Sequence, residues 1–279
     1  MEKFWIDLHS HSTFSHDGKN TPAEMLETAL KRGIFFFGVS EHFCYELDLT
    51  VYDEAKAESL KDGDPNEYFH TLRHLQEDYE GVMNVAVGGE FGYGNDEKAQ
   101  AEYKLICEKF HPDYVINSVH CIDGIDLCRL DYTNPRYSDK KTVYGRYLRL
   151  VRDSLDAPYP YDIVGHFCYA SRYIRFENNE EFWDAFGEQI DDILLTVIQK
   201  DKILEVNTAN KGLPNITVPD ERVLARYFAL GGRKVSFGSD AHFVERIADK
   251  RDEVVEMLKK IGFTYFTVPF RGEHIKVEL

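Results

Sequence analysis

Asp7-Leu8-His9-Ser10-His11 follows directly on an apolar run, Phe4-Trp5-Ile6, and sets two imidazoles two residues apart. A strand points alternate side chains to one face, so both rings leave the end of that run on the same side. Two imidazoles on one face can hold one metal ion. The arrangement recurs down the chain. Phe35-Phe36-Phe37-Gly38-Val39 leads to Glu41-His42, Val85-Ala86-Val87 to Glu90, Tyr114-Val115-Ile116 to His120, Ile163-Val164 to His166, and Val235-Ser236-Phe237 to Asp240 and His242. A further run, Ile203-Leu204-Glu205-Val206, ends in Asn207-Thr208 instead. Side chains at the carboxyl ends of successive parallel strands converge on one mouth when the strands close into a barrel. The expected fold class is therefore an α/β barrel of seven βα units.

Helical patterns fill the intervals. Thr21-Pro22-Ala23-Glu24 reads as a capping box with Pro at the first helical position, opening a helix to about Arg32 that stops at Gly33. Residues 66–79, 97–110 and 141–155 continue the series, and 180–199 carries Phe182, Phe186, Ile190, Ile193, Leu194 and Val197 at helical spacing. Further helices are expected from about Pro219 to Gly231 and from Glu245 to Ile261. Two long segments, 43–65 and 121–137, exceed the usual βα connection. The tail, Thr264 to Leu279, alternates like a strand or hairpin. With neither a linker nor an internal repeat, one domain spanning 1–279 is the simplest expectation.

The chain has 279 residues, 43% of them hydrophobic, enough for a sizeable core. Its formal net charge of -16 argues against nucleic acid as partner, since phosphate-tracking surfaces are basic. A small phosphorylated substrate stays compatible, because bound divalent cations reverse the local field. Nothing approaches the roughly 18 uncharged apolar residues of a membrane span, and residues 1–8 have no signal-peptide shape. A soluble cytoplasmic protein is expected; oligomeric state is left open. The five cysteines are scattered, without a CxxC pair, which speaks against a disulfide framework.

The candidate ligands are His9, His11, Asp17 or His16, His42, Glu90, His120, His166, Asp240 and His242. Nine positions are too many for one ion and enough for two or three divalent ions if a carboxylate bridges. Imidazole mixed with carboxylate, without thiolate, suits Zn, Mn or Fe. A single His at a strand end is more often a hydrogen-bonded structural residue than a ligand. Their joint placement at consecutive strand ends reverses that reading, and His70, His74, His111 and His274 fall outside it.

These stretches, together with Ser40-Glu41-His42, Gly88-Gly89-Glu90, Ser118-Val119-His120, Gly165-His166 and Gly238-Ser239-Asp240-Ala241-His242, resemble the motifs of the polymerase and histidinol phosphatase (PHP) superfamily. The resemblance spans nearly the whole chain, in order. It implies a distorted seven-stranded (β/α)7 TIM-like barrel with a trinuclear metal centre. The length and the phrases Ser118-Val119-His120-Cys121-Ile122-Asp123-Gly124 and Gly165-His166-Phe167-Cys168-Tyr169-Ala170-Ser171-Arg172-Tyr173 are most similar to the histidinol-phosphate phosphatases of histidine biosynthesis. On that likeness His9, His11, Glu90 and Asp240 hold one metal, Glu90, His120 and His166 a second, and Asp17, His42 and His242 a third. The family ligand eight residues past the first His selects Asp17, while the adjacent His16 is chemically as suited. The family also holds the substrate phosphate with two Arg; Arg172 matches the first, and Lys211 stands where the second is expected.

The activity so implied is metal-dependent phosphomonoester hydrolysis, of L-histidinol phosphate in particular, by a metal-bridging hydroxide, with Glu90, Asp240 and His242 as the catalytic set. Carboxylates of the 43–65 segment, Asp53, Glu54 and Glu58 among them, are expected to attract the substrate's ammonium. The alternatives are another small phosphoester (a nucleotide or sugar phosphate), a non-catalytic metal-binding PHP domain, or carbon–nitrogen bond hydrolysis on a related barrel.

Overall fold

The computed structural model of the protein describes residues 5–176, 179–210 and 215–279. Seven parallel strands succeed one another in chain order: Trp5–Asp7, Ile34–Val39, Asn84–Gly92, Tyr114–Ser118, Ile163–Val164, Ile203–Asn207 and Val235–Gly238. Neighbours pair through Phe36 and Asn84, Gly88 and Tyr114, Ile116 and Ile163, Ile163 and Ile203, and Leu204 and Val235. These runs are apolar on both faces because helices cover one side and the barrel interior the other.

The last strand returns to the first. Leu8 N donates to Phe237 O at 3.0 Å, Asp240 N to His9 O at 2.8 Å and His11 N to Ala241 O at 2.8 Å. Most of this seam lies just beyond the two strand ends, so the segments that close the barrel are those that carry His9, His11, Asp240 and His242.

Tyr114 fills the interior. It is buried, its hydroxyl donates to Leu8 O at 2.6 Å, and its ring lies where side chains at Gly38 and Gly88 would otherwise be. Two glycines on neighbouring strands thus make room for one large ring.

The helix Pro22–Lys31 has the expected capping box: Thr21 Oγ1 accepts from Glu24 N, and Glu24 Oε2 accepts from Thr21 N at 2.8 Å. The helices that start at Pro65, Glu97, Lys140 and Glu221 open on Asp64, Asp96, Asp139 and Asp220 as N-caps. The tail forms an antiparallel hairpin, Tyr265–Phe270 with Glu273–Glu278. Phe270 and Phe266 of that hairpin pack against Phe36 and Phe237 of the second and seventh barrel strands.

Three elements depart from the sequence reading. The third strand runs on through the glycines to Gly92, so Glu90 lies inside it. The final helix is Arg251–Ile261, starting six residues later than expected, because Ala248 and Lys250 adopt left-handed backbone, φ 55° and 57°. The 43–65 segment holds a 3-10 turn and a short helix, Glu54–Glu58, on which Asp53, Glu54 and Glu58 are exposed. None of those three carboxylates lines the cavity described below.

Candidate metal centre

Glu90 is the hub. Being inside a strand that is hydrogen-bonded on both sides, it projects from a fixed backbone into the barrel mouth, where it is 1% exposed. Its two oxygens serve different groups. Oε1 lies 3.1 Å from His120 Nε2 and 2.8 Å from His166 Nε2, and accepts from Ser118 Oγ at 2.6 Å. Oε2 lies 3.2 Å from His9 Nε2, 3.5 Å from His11 Nε2 and 2.9 Å from His42 Nδ1.

Asp240 closes the other side of the mouth. Its Oδ1 is 3.5 Å from both His11 Nε2 and His242 Nδ1, and its backbone is left-handed at φ 53°, a conformation Asp tolerates better than most residues. Asp17 Oδ2 lies 3.1 Å from His242 Nε2, and Asp17 Oδ1 lies 3.6 Å from His42 Nε2. His16 lines the same cavity, its ring stacked on His42 at 5.6 Å between centroids and its Nδ1 2.9 Å from Asp62 Oδ1. Potential ligand atoms of His9, His11 and Glu90, of Glu90, His120 and His166, and of His11, His42 and His242 fall within 4.8 Å of one another in each group. His70, His74, His111 and His274 lie outside these groups.

Three supports escaped sequence reasoning. Glu205 Oε1 is 2.5 Å from His9 Nδ1 and its Oε2 accepts from His166 N at 2.5 Å, so one carboxylate orients histidines that follow two different strands. A proton on His9 Nδ1 leaves Nε2 with a free lone pair towards Glu90. Glu41 accepts from the hydroxyls of Ser12 and Ser15, both at 2.5 Å, and Ser15 Oγ lies 3.1 Å from His11 Nδ1. Asp7 accepts from Ser239 N at 2.9 Å and Ala248 N at 2.8 Å, tying the first strand to the last loop. The signal in the sequence was an ionisable residue, Glu205 or Asp7, within an otherwise apolar strand. A carboxylate buried there must have partners.

The residues fit metal ions. His9 Nε2, His11 Nε2, His42 Nδ1, Asp17 Oδ1 and Glu90 Oε2 are buried and make no hydrogen bond of acceptable geometry, although they crowd together. Lone pairs that gather without hydrogen bonding are what shared cations satisfy.

Electrostatics agree. Burial pulls His9 down, but the Glu205, Glu90 and Asp240 carboxylates outweigh it and hold His9 well above its usual value. Against the same burial, Glu90 raises His42 to about 10. Burial beside His42 and His242 pushes His11 well below the usual range. Glu90 and Asp240 resist burial and stay well below the usual carboxylate range, chiefly through His9. The carboxylates are thus ionised, and in the absence of metal, protons gather on the imidazoles around them.

The cluster opens into a cavity of about 580 Å³ whose walls include Arg129, Tyr169, Arg172 and Arg246. Arg172 is buried, with Nη2 3.1 Å from Asn207 Oδ1 and 3.4 Å from Asp240 Oδ2. Lys211 lies outside the described residues. The five cysteines are free thiols. Among the described residues no helix is long and apolar enough to cross a membrane.

A model described as "PHP domain" matches residues 7–209, which include every proposed ligand except Asp240 and His242. The chain belongs to the PHP domain family. Among PHP proteins, it is similar to a "probable histidinol-phosphatase" of Clostridium acetobutylicum, 29% identical over 87% of this chain and 88% of that one. It is also similar to a histidinol-phosphatase of Lactococcus lactis, 26% identical over 92% of this chain and 91% of that one. A crystal structure of the Lactococcus lactis histidinol phosphate phosphatase, complexed with Zn, L-histidinol and phosphate, superposes with a TM-score of 0.79, covering 98% of this chain and 99% of that one at 22% identity. That likeness establishes the PHP barrel as the fold.

Proposed function

We propose that this PHP protein is a metal-dependent phosphomonoesterase that hydrolyses L-histidinol phosphate to L-histidinol and phosphate, in histidine biosynthesis in the cytoplasm. The observation that carries this is the convergence of six imidazoles and three carboxylates on one mouth beside the buried Arg172. Similarity to histidinol-phosphatases over most of both chains supports the substrate.

His9, His11, Glu90 and Asp240 would hold one divalent ion, Glu90, His120 and His166 a second, and Asp17, His42 and His242 a third. When bound, such ions lower the pKa of a water and neutralise the oxygens of a phosphoryl group. Glu90 offers one oxygen to each of two imidazole groups, so it sets the spacing between them. Asp240, in contact with Arg172, or a neighbouring imidazole would relay the proton released by the attacking water to the departing alkoxide. Arg172 is held by Asn207 and Asp240 through Nη2, leaving its buried Nε without a partner and available to a phosphate oxygen. Lys211 is assigned as the second phosphate contact on the family resemblance of the sequence around Asn207-Thr208-Ala209-Asn210. His242, held between Asp17 and Asp240, fixes the outer rim.

The test is phosphate release by the metal-loaded protein from histidinol phosphate, a nucleoside monophosphate, a sugar phosphate and an aryl phosphodiester. A kcat/KM for histidinol phosphate several orders of magnitude above the rest is expected. Slow, indiscriminate turnover would sink the substrate assignment.

A further inference from the structure

Glu46 is a buried carboxylate on the wall of the catalytic cavity, 7% exposed, and no metal group described above uses it. It reaches the cavity from the 43–65 segment because the third strand offers no side chain there. A Cβ on Gly92 or Gly94 would collide with Glu46. The barrel therefore makes a seat for this one carboxylate.

Burial pushes the Glu46 carboxyl up to about 7, because its few partners only partly offset the loss of water. Glu46 Oε2 is 2.8 Å from the Tyr103 hydroxyl, but that hydroxyl also faces Gly92 O at 2.7 Å and has one proton for the two acceptors. Among the side chains described, Glu46 Oε1 receives the Cys121 thiol, a weak donor, at 3.5 Å. The described residues place no lysine or arginine in an ion pair with Glu46. A carboxylate removed from water without a cation is costly unless something else supplies the cation. Asp126 and Arg129 line the same cavity, as does Arg246, and Arg172 lines it in contact with Asp240. One cavity thus carries cationic side chains for a phosphate and, among the described residues, a carboxylate with no lysine or arginine partner for a positive charge.

We infer that Glu46 is the specificity-determining residue that binds the protonated amine of an amino-alcohol phosphate, its carboxylate replacing the water around that ammonium. This rests on the histidinol-phosphate reading and names the group that would distinguish that ester from uncharged ones. The selection is electrostatic: a neutral phosphoester would leave Glu46 desolvated and unpaired, and would be disfavoured for that reason.

The test uses the metal-loaded protein and its Glu46→Gln and Glu46→Asp variants at about pH 8, where a free imidazole is neutral and an alkylamine is charged. Three substrates are compared: histidinol phosphate, the same ester lacking the amine, and an aryl phosphate. In the wild type the amine is expected to raise kcat/KM on the order of 100-fold. In Glu46→Gln that preference should shrink to a few-fold, mainly through KM, with aryl phosphate turnover and metal content unchanged. Glu46→Asp, which keeps a charge, should retain part of it. An equal loss on all three substrates would overturn the inference by making Glu46 structural. The loss of one metal ion per chain would overturn it in favour of a ligand role with Cys44 and His120, whose potential ligand atoms lie within 4.8 Å of it and of each other. A wild type that prefers the amine, with the preference intact in Glu46→Gln, overturns this inference alone; a wild type that ignores histidinol phosphate overturns the proposed function as well.

Discussion

Asp17 and His16 are chain neighbours with opposite surroundings. The two oxygens of Asp17 face two imidazoles, His42 and His242, whereas His16 faces a carboxylate, Asp62, through Nδ1. Burial works against ionisation of Asp17, but a hydrogen bond from His242 and the charge of His42 keep its carboxyl well below the usual range. Asp17→Asn retains the size and removes the charge, so it should lose about one metal ion per chain on dialysis against a weak chelator. His16→Asn should keep the full complement. Elemental analysis of both variants decides, and the reverse result would shift the ligand register by one residue. Sequence alone left this pair open because both side chains ligate metals and a one-residue slip in a loop costs nothing in pattern. Glu205 was missed for a different reason. Its run reads as a strand that ends in no ligand, and its role is played on His9 and His166, which belong to other strands.

The strands were legible because each is an apolar run, buried on both faces, with a polar residue at its carboxyl end. Their lengths were less so. Gly88-Gly89 reads as a loop, yet pairing with the fourth strand carries the third strand through both residues to Gly92. The glycines are there for close packing. A Cβ at Gly88 would sit 2.5 Å from two carbons of the Tyr114 ring, and Tyr114 cannot retreat without giving up its bond to Leu8 O. Gly88→Ala should therefore cost about 1–3 kcal/mol of stability, the usual range for overpacking a core. Because Leu8 immediately precedes His9, the same change should also weaken metal binding. Urea denaturation of the metal-free protein measures the first effect, and a loss below about 0.5 kcal/mol would mean the ring has room to move. The late start of the last helix had no such marker: 245–250 contains neither Pro nor Gly, and left-handed turns at Ala248 and Lys250 are set by the tertiary fold.

The barrel is drawn closed around groups that repel one another unless something positive lies between them, so its cohesion should depend on pH and metal together. Without metal, that positive charge is protons. His42 normally titrates near 6.5 and is raised to about 10, so its contribution to stability is fully present below about pH 6.5 and lost as pH rises through about 10. His9, His120 and His242 are raised as well and act in the same direction. His11 and His166 are lowered, mainly by burial, and weaken the fold as pH falls below the usual imidazole range. The depressed carboxylates Glu90, Asp17 and Asp240 stabilise above their usual values and lose that contribution only as pH falls through their lowered ones. Metal ions compete with the protons for the imidazole lone pairs, so metal binding strengthens over the interval in which the metal-free protein loses its proton-held contacts. The difference in Tm between the metal-loaded and chelator-treated protein should accordingly widen from about pH 6 to about pH 9, read by scanning calorimetry at fixed metal concentration. A gap that stays constant across that range would mean protons and metal do not share these sites, and would remove the imidazoles from the ligand set.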